Sequence, residues 1–202
     1  MADSENPYLE DPDVQLMLRV KEGDEAAFAK LVTNYQNRLL GLITNFLGNE
    51  SAAEDVVQEA FLRVYRVRVG YQPTAKFSTW LIQIAHNLAS NWLRTKGRRK
   101  EVHLKSEESG PMEVPPQNSG GLADKSSMMP TRQLDQREVR RRVQEALETL
   151  NERQKLAVLL HRFEEMSYAE IGDIMEMTPV AVKSLLGRAR ENLRLALEPI
   201  VK

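Results

Sequence analysis

One segment in the middle of the chain restricts the fold more than any other feature. Residues 101–134 contain 3 glycines, 4 prolines and 5 serines, and no aromatic residue. A structureless stretch of that length is uncommon inside one compact domain, so we predict a flexible linker. The sequence therefore predicts an N-terminal domain over 1–100 and a C-terminal domain over 135–202, both within the usual size range of domains.

Helix-start signals predominate on both sides of this linker. Three pairs have the spacing of a capping box, in which two side chains satisfy free backbone amides: Ser51/Glu54, Asn151/Gln154 and Ser167/Glu170. Asp24 and Thr178, which precedes Pro179, are further N-cap candidates. The predicted helices span 12–22, 24–48, 51–67, 78–96, 136–150, 152–164, 168–176 and 179–197. The predicted class is all-α, with two helical domains.

Composition argues against most kinds of catalytic site. The chain has no cysteine, which excludes disulfides, thiol nucleophiles and zinc ribbons, and its three histidines are scattered at His86, His103 and His161. Neither of the usual glycine-rich phosphate-binding loops occurs. Adjacent acids such as Glu164 and Glu165 are more often ordinary helix-terminal charges than general acids. We predict no enzyme activity, no cofactor and no metal.

No segment has the pattern of a targeting or membrane signal. The N-terminal sequence MADSENPYLEDPD is acidic and lacks the apolar run of a secretory signal. The longest stretch without a formal charge, residues 77–93, contains too many polar side chains for a bilayer-spanning helix. We predict a cytoplasmic protein without membrane insertion.

The net charge of −1 conceals a strong asymmetry. Residues 1–59 carry 12 acidic and 4 basic side chains, a net charge of −8, whereas residues 60–100 carry 9 basic and no acidic ones. Residues 101–134 sum to −2, and residues 135–202 balance at 12 and 12. Such asymmetry indicates a surface that faces a polyanion. The alternative is a basic face that is merely solvated.

The predicted helix over 78–96 has a polar face without carboxylates. Its predicted core face consists of Leu81, Ile84, Ala85, Leu88 and Trp92. The opposite face then carries Thr79, Gln83, His86, Asn87, Ser90, Asn91 and Arg94. Five basic residues follow within seven positions, namely Arg94, Lys96, Arg98, Arg99 and Lys100. Amide, hydroxyl and guanidinium groups without acids suit contacts to base edges and phosphates.

A loop immediately before this helix offers aromatic side chains beside a cation. Residues 69–77 include Tyr71, Lys76 and Phe77. Aromatic rings next to basic groups are typical of a platform for single-stranded nucleic acid. The alternative is that Tyr71 and Phe77 pack in the core and the basic run is a solvated helix end.

The C-terminal segment SYAEIGDIMEMTPVAVKSLLGRAR predicts two helices joined by a three- or four-residue turn. Their predicted shared core consists of Ala169, Ile171, Ile174, Val182 and Leu186. The second helix carries Lys183, Ser184, Arg188, Arg190 and Arg194, opposed only by Glu191. This is the layout of a helix–turn–helix, whose second helix enters the major groove of DNA. Similar helix pairs also occur in proteins that do not bind DNA.

Taken together, these segments resemble the extracytoplasmic-function sigma factors of bacterial RNA polymerase. The resemblance rests on VKEGDEAAFAKLVTNYQNRL, AAEDVVQEAFLRVYR, FSTWLIQIAHNLASNWLRTKGRR and ETLNERQKLAVLLHRFEEMSYAEIGDIMEMTPVAVKSLLGRARENLR, in the family's order and spacing. It implies a protein that binds core RNA polymerase, recognises two promoter elements and opens the minus-ten region by trapping an extruded base. It also implies control by an anti-sigma protein.

The resemblance implies roles for single residues in the N-terminal domain. Asp55, Gln58 and Glu59 would dock on the coiled-coil clamp helices of the polymerase's largest subunit, and an acidic helix suits a basic partner. The loop from Tyr71 to Phe77, with Asn87, would hold a base flipped out of the non-template minus-ten strand. Backbone phosphates would be held by Arg94, Lys96, Arg98 and Arg99.

In the C-terminal domain, the resemblance implies that the minus-thirty-five element is read by Lys183, Ser184, Arg188 and Arg190. Three positions depart from the family's pattern. Leu185 and Gly187 stand where many relatives have larger or basic side chains, so we expect few base contacts there. Glu176 occupies a turn position where relatives often have glycine, so we expect a looser turn.

Two alternatives come from other functional classes. A helix–turn–helix regulator that binds duplex DNA without polymerase would account for residues 135–202. It would leave EDVVQEAF and the acid-free segment unexplained. An adaptor that binds only proteins would show little salt dependence of any DNA affinity.

Overall fold

The computed structural model describes the chain over residues 6–106 and 141–198. Its side chains are described over 6–98 and 141–198. The regular elements in these ranges are helices, which confirms the predicted all-α class. None of these described helices is both long and apolar enough to cross a membrane. The chain divides into two compact units, residues 1–114 and residues 115–202.

Over its described residues, 6–106, the N-terminal unit has four α-helices. It contains α1 (Pro12–Lys21), α2 (Glu25–Leu47), α3 (Glu50–Val67), a 3-10 turn over Arg68–Gly70, and α4 (Phe77–Ser106). Helix α2 packs against α1, α3 and α4, and α3 packs against α4. The core includes the fully buried side chains of Val14, Met17, Leu31, Ile43, Val64, Phe77 and Leu81.

Polar caps set the helix starts in this unit. Asp24 caps α2 as predicted, and its carboxylate also forms an ion pair with Arg19 at 2.6 Å. The predicted cap at Ser51 is wrong, because α3 begins at Glu50 with Asn49 as its N-cap. The Asn49 side-chain oxygen accepts a hydrogen bond from the Ala52 amide at 2.8 Å. Because this cap starts α3 two residues earlier than predicted, Ser51 lies inside the helix.

Helix α4 differs from the prediction in length. It continues to Ser106, ten residues beyond the predicted end, so residues 101–106 of the predicted linker are helical. The sequence after Lys100 carries no proline before residue 111, and so nothing in it stops the helix. The rest of the predicted linker, residues 107–134, and the predicted helix start at 136–140 lie outside the described residues.

The buried face of α4 is also rotated relative to the prediction. Among its side chains described up to residue 98, the buried ones are Phe77, Thr79, Leu81, Ile82, Ala85 and Ala89. The predicted core residues Ile84, Leu88 and Trp92 are only partly buried. Periodicity locates an apolar stripe on a helix, but α4 contacts α1, α2 and α3 together, and this packing sets its rotation.

The C-terminal unit contains α5 (141–148), α6 (Glu152–Phe163), α7 (Tyr168–Met175) and α8 (Pro179–Leu197). Helix α8 packs against both α6 and α7. The capping boxes predicted at Asn151 and Ser167 are present, and Thr178 caps α8 before Pro179. These local signals placed three of the helix starts correctly.

The predicted core of the helix–turn–helix is largely confirmed. Ile171, Ile174, Val182 and Leu186 are buried, whereas Ala169 is exposed and does not belong to the core. Ala169 lies in the first turn of α7, on the side of the helix away from Ile171, so burial of Ile171 leaves it in solvent.

The turn between α7 and α8 is tight despite the glutamate at its αL position. Glu176 adopts φ 54° and ψ 50°, a conformation that costs most side chains about 1–2 kcal/mol. The Met177 amide donates to the Gly172 carbonyl at 2.9 Å and brings the turn back onto α7. A Cβ on Gly172 would lie 2.5 Å from the Met177 carbonyl oxygen. The expectation of a looser turn is therefore wrong.

Replacing Gly172 with alanine should destabilise the C-terminal unit by about 1–3 kcal/mol, because the turn must move away from the new methyl group. Gly187→Ala is the matched control, since nothing lies within 4 Å of a Cβ at that exposed helical position. It should stabilise the unit by about 0.5–1 kcal/mol. Urea unfolding followed by circular dichroism measures both, and equal effects would contradict the close approach.

Candidate functional site

The loop before α4 is held by two hydrogen bonds from elsewhere in the N-terminal unit. The Lys21 ammonium donates to the Tyr71 carbonyl at 2.9 Å, and the Asn6 side-chain amide donates to the Pro73 carbonyl at 2.7 Å. The loop exposes polar side chains between and after these two residues, including Gln72, Thr74 and Lys76. Its backbone is therefore positioned by α1 and the segment before it.

The two aromatic side chains at the ends of this loop lie in the core. Tyr71 is only 4% exposed, and its ring centroid lies 4.8 Å from that of Trp80. Phe77 is fully buried and packs against Tyr35 with the ring centroids 5.3 Å apart. The prediction of an aromatic platform open to single-stranded nucleic acid is therefore wrong for both residues in this conformation. Each ring removes a large apolar area from water by packing inward.

The phenol of Tyr71 is buried without a hydrogen-bond partner among the described atoms. Burial raises the pKa of Tyr71 from 10.0 to about 12, and the negative charge of Asp11 contributes to this rise. Tyr35 differs, because its hydroxyl donates to Asp13 at 2.5 Å. The hydroxyl of Tyr71 thus lowers stability locally, whereas its ring adds to the core.

A polar stripe runs along the exposed side of α4. Asn87, Arg94 and Arg98 are exposed and fall on one side of the helix, because their spacings of 7 and 4 residues are close to whole turns. The stripe is about 16 Å long at 1.5 Å per residue. Arg94 donates to Asn91 within the same stripe, which orients the guanidinium along the helix.

One predicted phosphate-binding residue on α4, Lys96, does not belong to this stripe. Lys96 lies on the other side of the helix from Asn87, and its ammonium sits 4.8 Å from the centre of the Trp92 ring. Arg99 belongs to α4, but its side chain lies outside the described part of the chain. The structure thus brings Asn87, Arg94 and Arg98 together and separates Lys96 from them.

A second candidate surface lies on α3. Asp55 and Gln58 are exposed, and Glu59 is half exposed and forms an ion pair with Arg66 at 3.1 Å. The apolar side chain of Leu62, which is 47% exposed, extends this surface. Sequence reasoning did not single out Leu62, although its position four residues after Gln58 places both on one helix face.

Gln58 and Leu62 also border a groove between α2 and α3. The groove encloses about 420 Å³, and apolar side chains line most of it, including Phe28, Val32 and Phe61. The exposed acids Glu54 and Asp55 lie on the same helix. This surface therefore combines an apolar groove with a negatively charged helix face.

A third candidate surface is the exposed side of α8. Lys183, Ser184, Arg188 and Arg190 all lie in solvent. Within the described residues, none of the three cations has a carboxylate within ion-pair distance. Arg194, further along the helix, contacts Glu191 at 2.8 Å and Glu198 at 3.8 Å. Lys183, Arg188 and Arg190 therefore offer unpaired positive charge on α8, whereas Arg194 does not.

The departures at Leu185 and Gly187 have different structural outcomes. Leu185 is 6% exposed and packs in the core of the C-terminal unit, so its side chain is unavailable to DNA. Gly187 is exposed and has open space where a Cβ would be. The expectation of few base contacts at residue 185 follows from its burial.

The comparisons with known proteins match both units. The sigma-70 region 2 family model matches residues 31–99, and the sigma-70 region 4 family model matches residues 140–193. The RNA polymerase sigma-H factor of Pseudomonas aeruginosa is 35% identical over 194 residues, which cover 96% of this chain and 97% of that protein. The chain belongs to the extracytoplasmic-function sigma factors of bacterial RNA polymerase.

Further similarities support the family and the fold. The ECF RNA polymerase sigma-E factor of Escherichia coli K12 is 34% identical over 190 residues, covering 94% of this chain and 96% of that sigma factor. The structure of CnrH in complex with the cytosolic domain of CnrY matches with a TM-score of 0.67 at 21% identity, covering 94% of this chain and 99% of CnrH. RpoE in complex with NepR from Bartonella quintana matches with a TM-score of 0.62 at 19% identity, covering 85% and 96%.

The buried phenol leads to a prediction for Tyr71→Phe. This variant should be about 0.5–1 kcal/mol more stable at pH 7, because it no longer buries an unpartnered hydroxyl. Because the pKa of Tyr71 is raised, the folded protein holds the phenolic proton more tightly than the unfolded chain does. This difference adds its full amount to the free energy of unfolding below pH 10, and the amount is lost as the pH rises from 10 to about 12.

Urea unfolding at pH 7 and across pH 9 to 12 measures both effects. The wild-type protein should lose more stability than Tyr71→Phe over the alkaline range. Tyr35, whose pKa is also raised, remains in both proteins and contributes equally. Identical alkaline profiles for the two proteins would show that Tyr71 is not buried in solution.

Proposed function

We propose that this sigma factor uses α3 to bind core RNA polymerase, α4 to capture the opened minus-ten strand, and α8 to bind the minus-thirty-five duplex. The observation that supports this most directly is the segregation of exposed charge. Exposed acids lie on the first half of α3, whereas the side chains of α4 described up to residue 98 and those in the first half of α8 include exposed cations and no acid. Core polymerase supplies the nucleotidyl transfer, so the chain itself needs no catalytic residue, cofactor or metal and acts in the cytoplasm.

The polymerase-binding role is assigned to Asp55, Gln58 and Glu59, with Leu62 beside them. A basic partner helix would be attracted by the exposed carboxylates, and its apolar side chains would enter the groove between α2 and α3. Glu59 would exchange its ion pair with Arg66 for one with the partner, at little cost because that pair is exposed.

The minus-ten role is assigned to the loop before α4 and to the polar stripe. Asn87 can donate to and accept from the edge of an extruded base, and Arg94 and Arg98 can hold the adjacent phosphates. Tyr71 and Phe77 are buried, so we assign them to positioning the loop rather than to stacking. Lys76, at the exposed end of the loop, would add a cation beside the base, and Lys96 and Arg99 would contact the strand further along.

The minus-thirty-five role is assigned to Lys183, Ser184, Arg188 and Arg190. These side chains are exposed on the second helix of a helix–turn–helix whose turn is tightly closed. The N-terminal half of such a helix enters the major groove. We also propose an anti-sigma protein as a regulatory partner, which would cover these charged surfaces and so compete with polymerase and DNA.

A regulator that binds DNA without polymerase accounts only for the C-terminal unit. The acidic face of α3 and the stripe on α4 have no role in such a protein. The discriminating experiment adds purified chain to core enzyme and measures promoter-specific transcription. Promoter binding by the chain alone, without stable association with core enzyme, would overturn the proposal.

Asn87→Ala and Gln58→Ala should have reciprocal defects. On a promoter selected from a randomised library, Asn87→Ala should reduce opening about threefold to tenfold, the loss expected for one or two hydrogen bonds, with core affinity unchanged. Gln58→Ala should weaken core binding by a similar factor and leave the opening of saturated complexes unchanged. Permanganate reactivity of unpaired thymines reports opening, and fluorescence anisotropy reports core affinity.

Thr33→Ala is the neutral control for these two variants, because Thr33 is exposed on α2 and bonds only within its own helix. All three substitutions replace an exposed polar side chain by alanine. Equal loss of opening and of core binding in Asn87→Ala would contradict the assignment of Asn87 to the extruded base.

The unpaired cations of α8 should determine the salt dependence of duplex binding. Lys183→Ala and Arg188→Ala should each weaken holoenzyme binding to the minus-thirty-five duplex and reduce the slope of log affinity against log salt by about 1. Arg194→Ala is the matched control, because Arg194 is already paired with Glu191 and Glu198. A slope unchanged in the first two variants would exclude phosphate contacts by this helix.

A further inference from the structure

Val180 is the most exposed large apolar side chain in the described part of the chain. Its side chain is 76% exposed, whereas Val182, two residues later on the same helix, is fully buried. At this end of α8, Val182 is therefore the valine that packs in the core. Val180 contributes nothing to that core.

Local helix preference does not account for Val180 either. It is the second residue of α8, after the Thr178 cap and Pro179. Thr178 already accepts the Ala181 amide, so the helix start is secured without Val180. A β-branched side chain at an exposed helical position is less favourable than alanine. Valine at this position thus exposes apolar surface to water and also has a lower helix propensity than alanine. A contact with a partner would remove the apolar surface from water.

The surroundings of Val180 indicate what that partner is. Ser184 lies one turn further along the same side of α8, and Lys183 and Arg188 flank it. The first turn of α8 contains no acid, so its positive helix end is not neutralised. An apolar group with a hydroxyl and an unpaired cation about one turn away, and a second cation a further turn along, matches a surface that is polyanionic and carries one apolar group.

We propose that Val180 contacts the 5-methyl group of a thymine in the major groove of the minus-thirty-five element, and that this contact makes thymine preferred at one position. The proposal rests on the assignment of α8 to that element. Of the four bases, only thymine presents a methyl group in the major groove. Residues at the N-terminal end of a recognition helix are those that contact base edges.

The experiment compares thymine with deoxyuridine, which lacks the methyl group and keeps the same hydrogen-bonding groups. Holoenzyme containing the full chain first selects duplexes from a library randomised across the minus-thirty-five region. Each thymine of the selected duplex is then replaced singly by deoxyuridine. At one position the wild-type holoenzyme should lose about fourfold in affinity, the value of one methyl-sized apolar contact. Val180→Ala should bind the two duplexes within twofold of each other.

Lys183→Ala is the control for this comparison. It should weaken binding to both duplexes and preserve their ratio, because a phosphate contact is insensitive to the base. Val180→Thr, which retains one methyl group, should retain part of the preference. Because Val180 is exposed, neither of its variants should lose core packing, and Val180→Ala should be at least as stable as the wild type.

Three outcomes would overturn the role of Val180. They are a selected duplex without thymine in this element, no thymine position sensitive to loss of the methyl group, and the same thymine-to-deoxyuridine ratio in Val180→Ala as in wild type. If Lys183→Ala and Arg188→Ala leave affinity and salt slope unchanged, the failure lies instead in the assignment of α8 to the duplex.

Discussion

The burial of Phe77 at the first residue of α4 is the contact on which the N-terminal surfaces depend. Phe77 is fully buried against Tyr35 on α2, and its ring centroid also lies 6.1 Å from that of Trp80. Full burial of such a side chain contributes about 1.5–3 kcal/mol. Together with the packing of α4 on α1, α2 and α3, it sets the rotation of α4 that places Asn87 and Arg94 in solvent. Phe77 is also the last residue of the loop before α4, so its burial fixes the position of the loop relative to the polar stripe on α4.

Electrostatics in this protein is local rather than global. The net charge of −1 has little bearing on binding, because the acids and bases occupy different surfaces. Some charges are paired within the fold, as in Arg19 with Asp24 and Arg194 with Glu191. The cations on the first half of α8 have no such partner among the described residues. Those unpaired charges are free to displace counterions from DNA, and they give the surface its expected salt dependence.

The C-terminal unit shows how close packing can require an unfavourable backbone. The turn after α7 passes so near Gly172 that a Cβ at that position would meet the Met177 carbonyl oxygen. Glu176 adopts the αL conformation to close this turn. The packing of α7 and α8 around Ile171, Val182 and their neighbours offsets that local cost. The resulting geometry exposes one side of α8, including Val180, and buries Leu185.

The sequence by itself determined the helices and the division of charge. Caps at Asn151, Ser167 and Thr178 act within one helical turn, so they can be recognised without the fold. The family's motifs likewise identified the class of protein. The predicted cap at Ser51 was wrong because Asn49, two residues earlier, caps α3 instead. The predicted end of α4 was wrong because no proline follows to stop the helix.

Only the tertiary structure decided which side chains face solvent at the candidate surfaces. Tyr71 and Lys96 have suitable chemistry for DNA contacts, yet Tyr71 is buried and Lys96 lies away from the polar stripe. Leu62 and Val180 were overlooked because an apolar residue on a helix is normally assigned to the core. The physical reason is that burial depends on which distant elements pack against a helix and at what rotation, and periodicity along one segment does not contain that information.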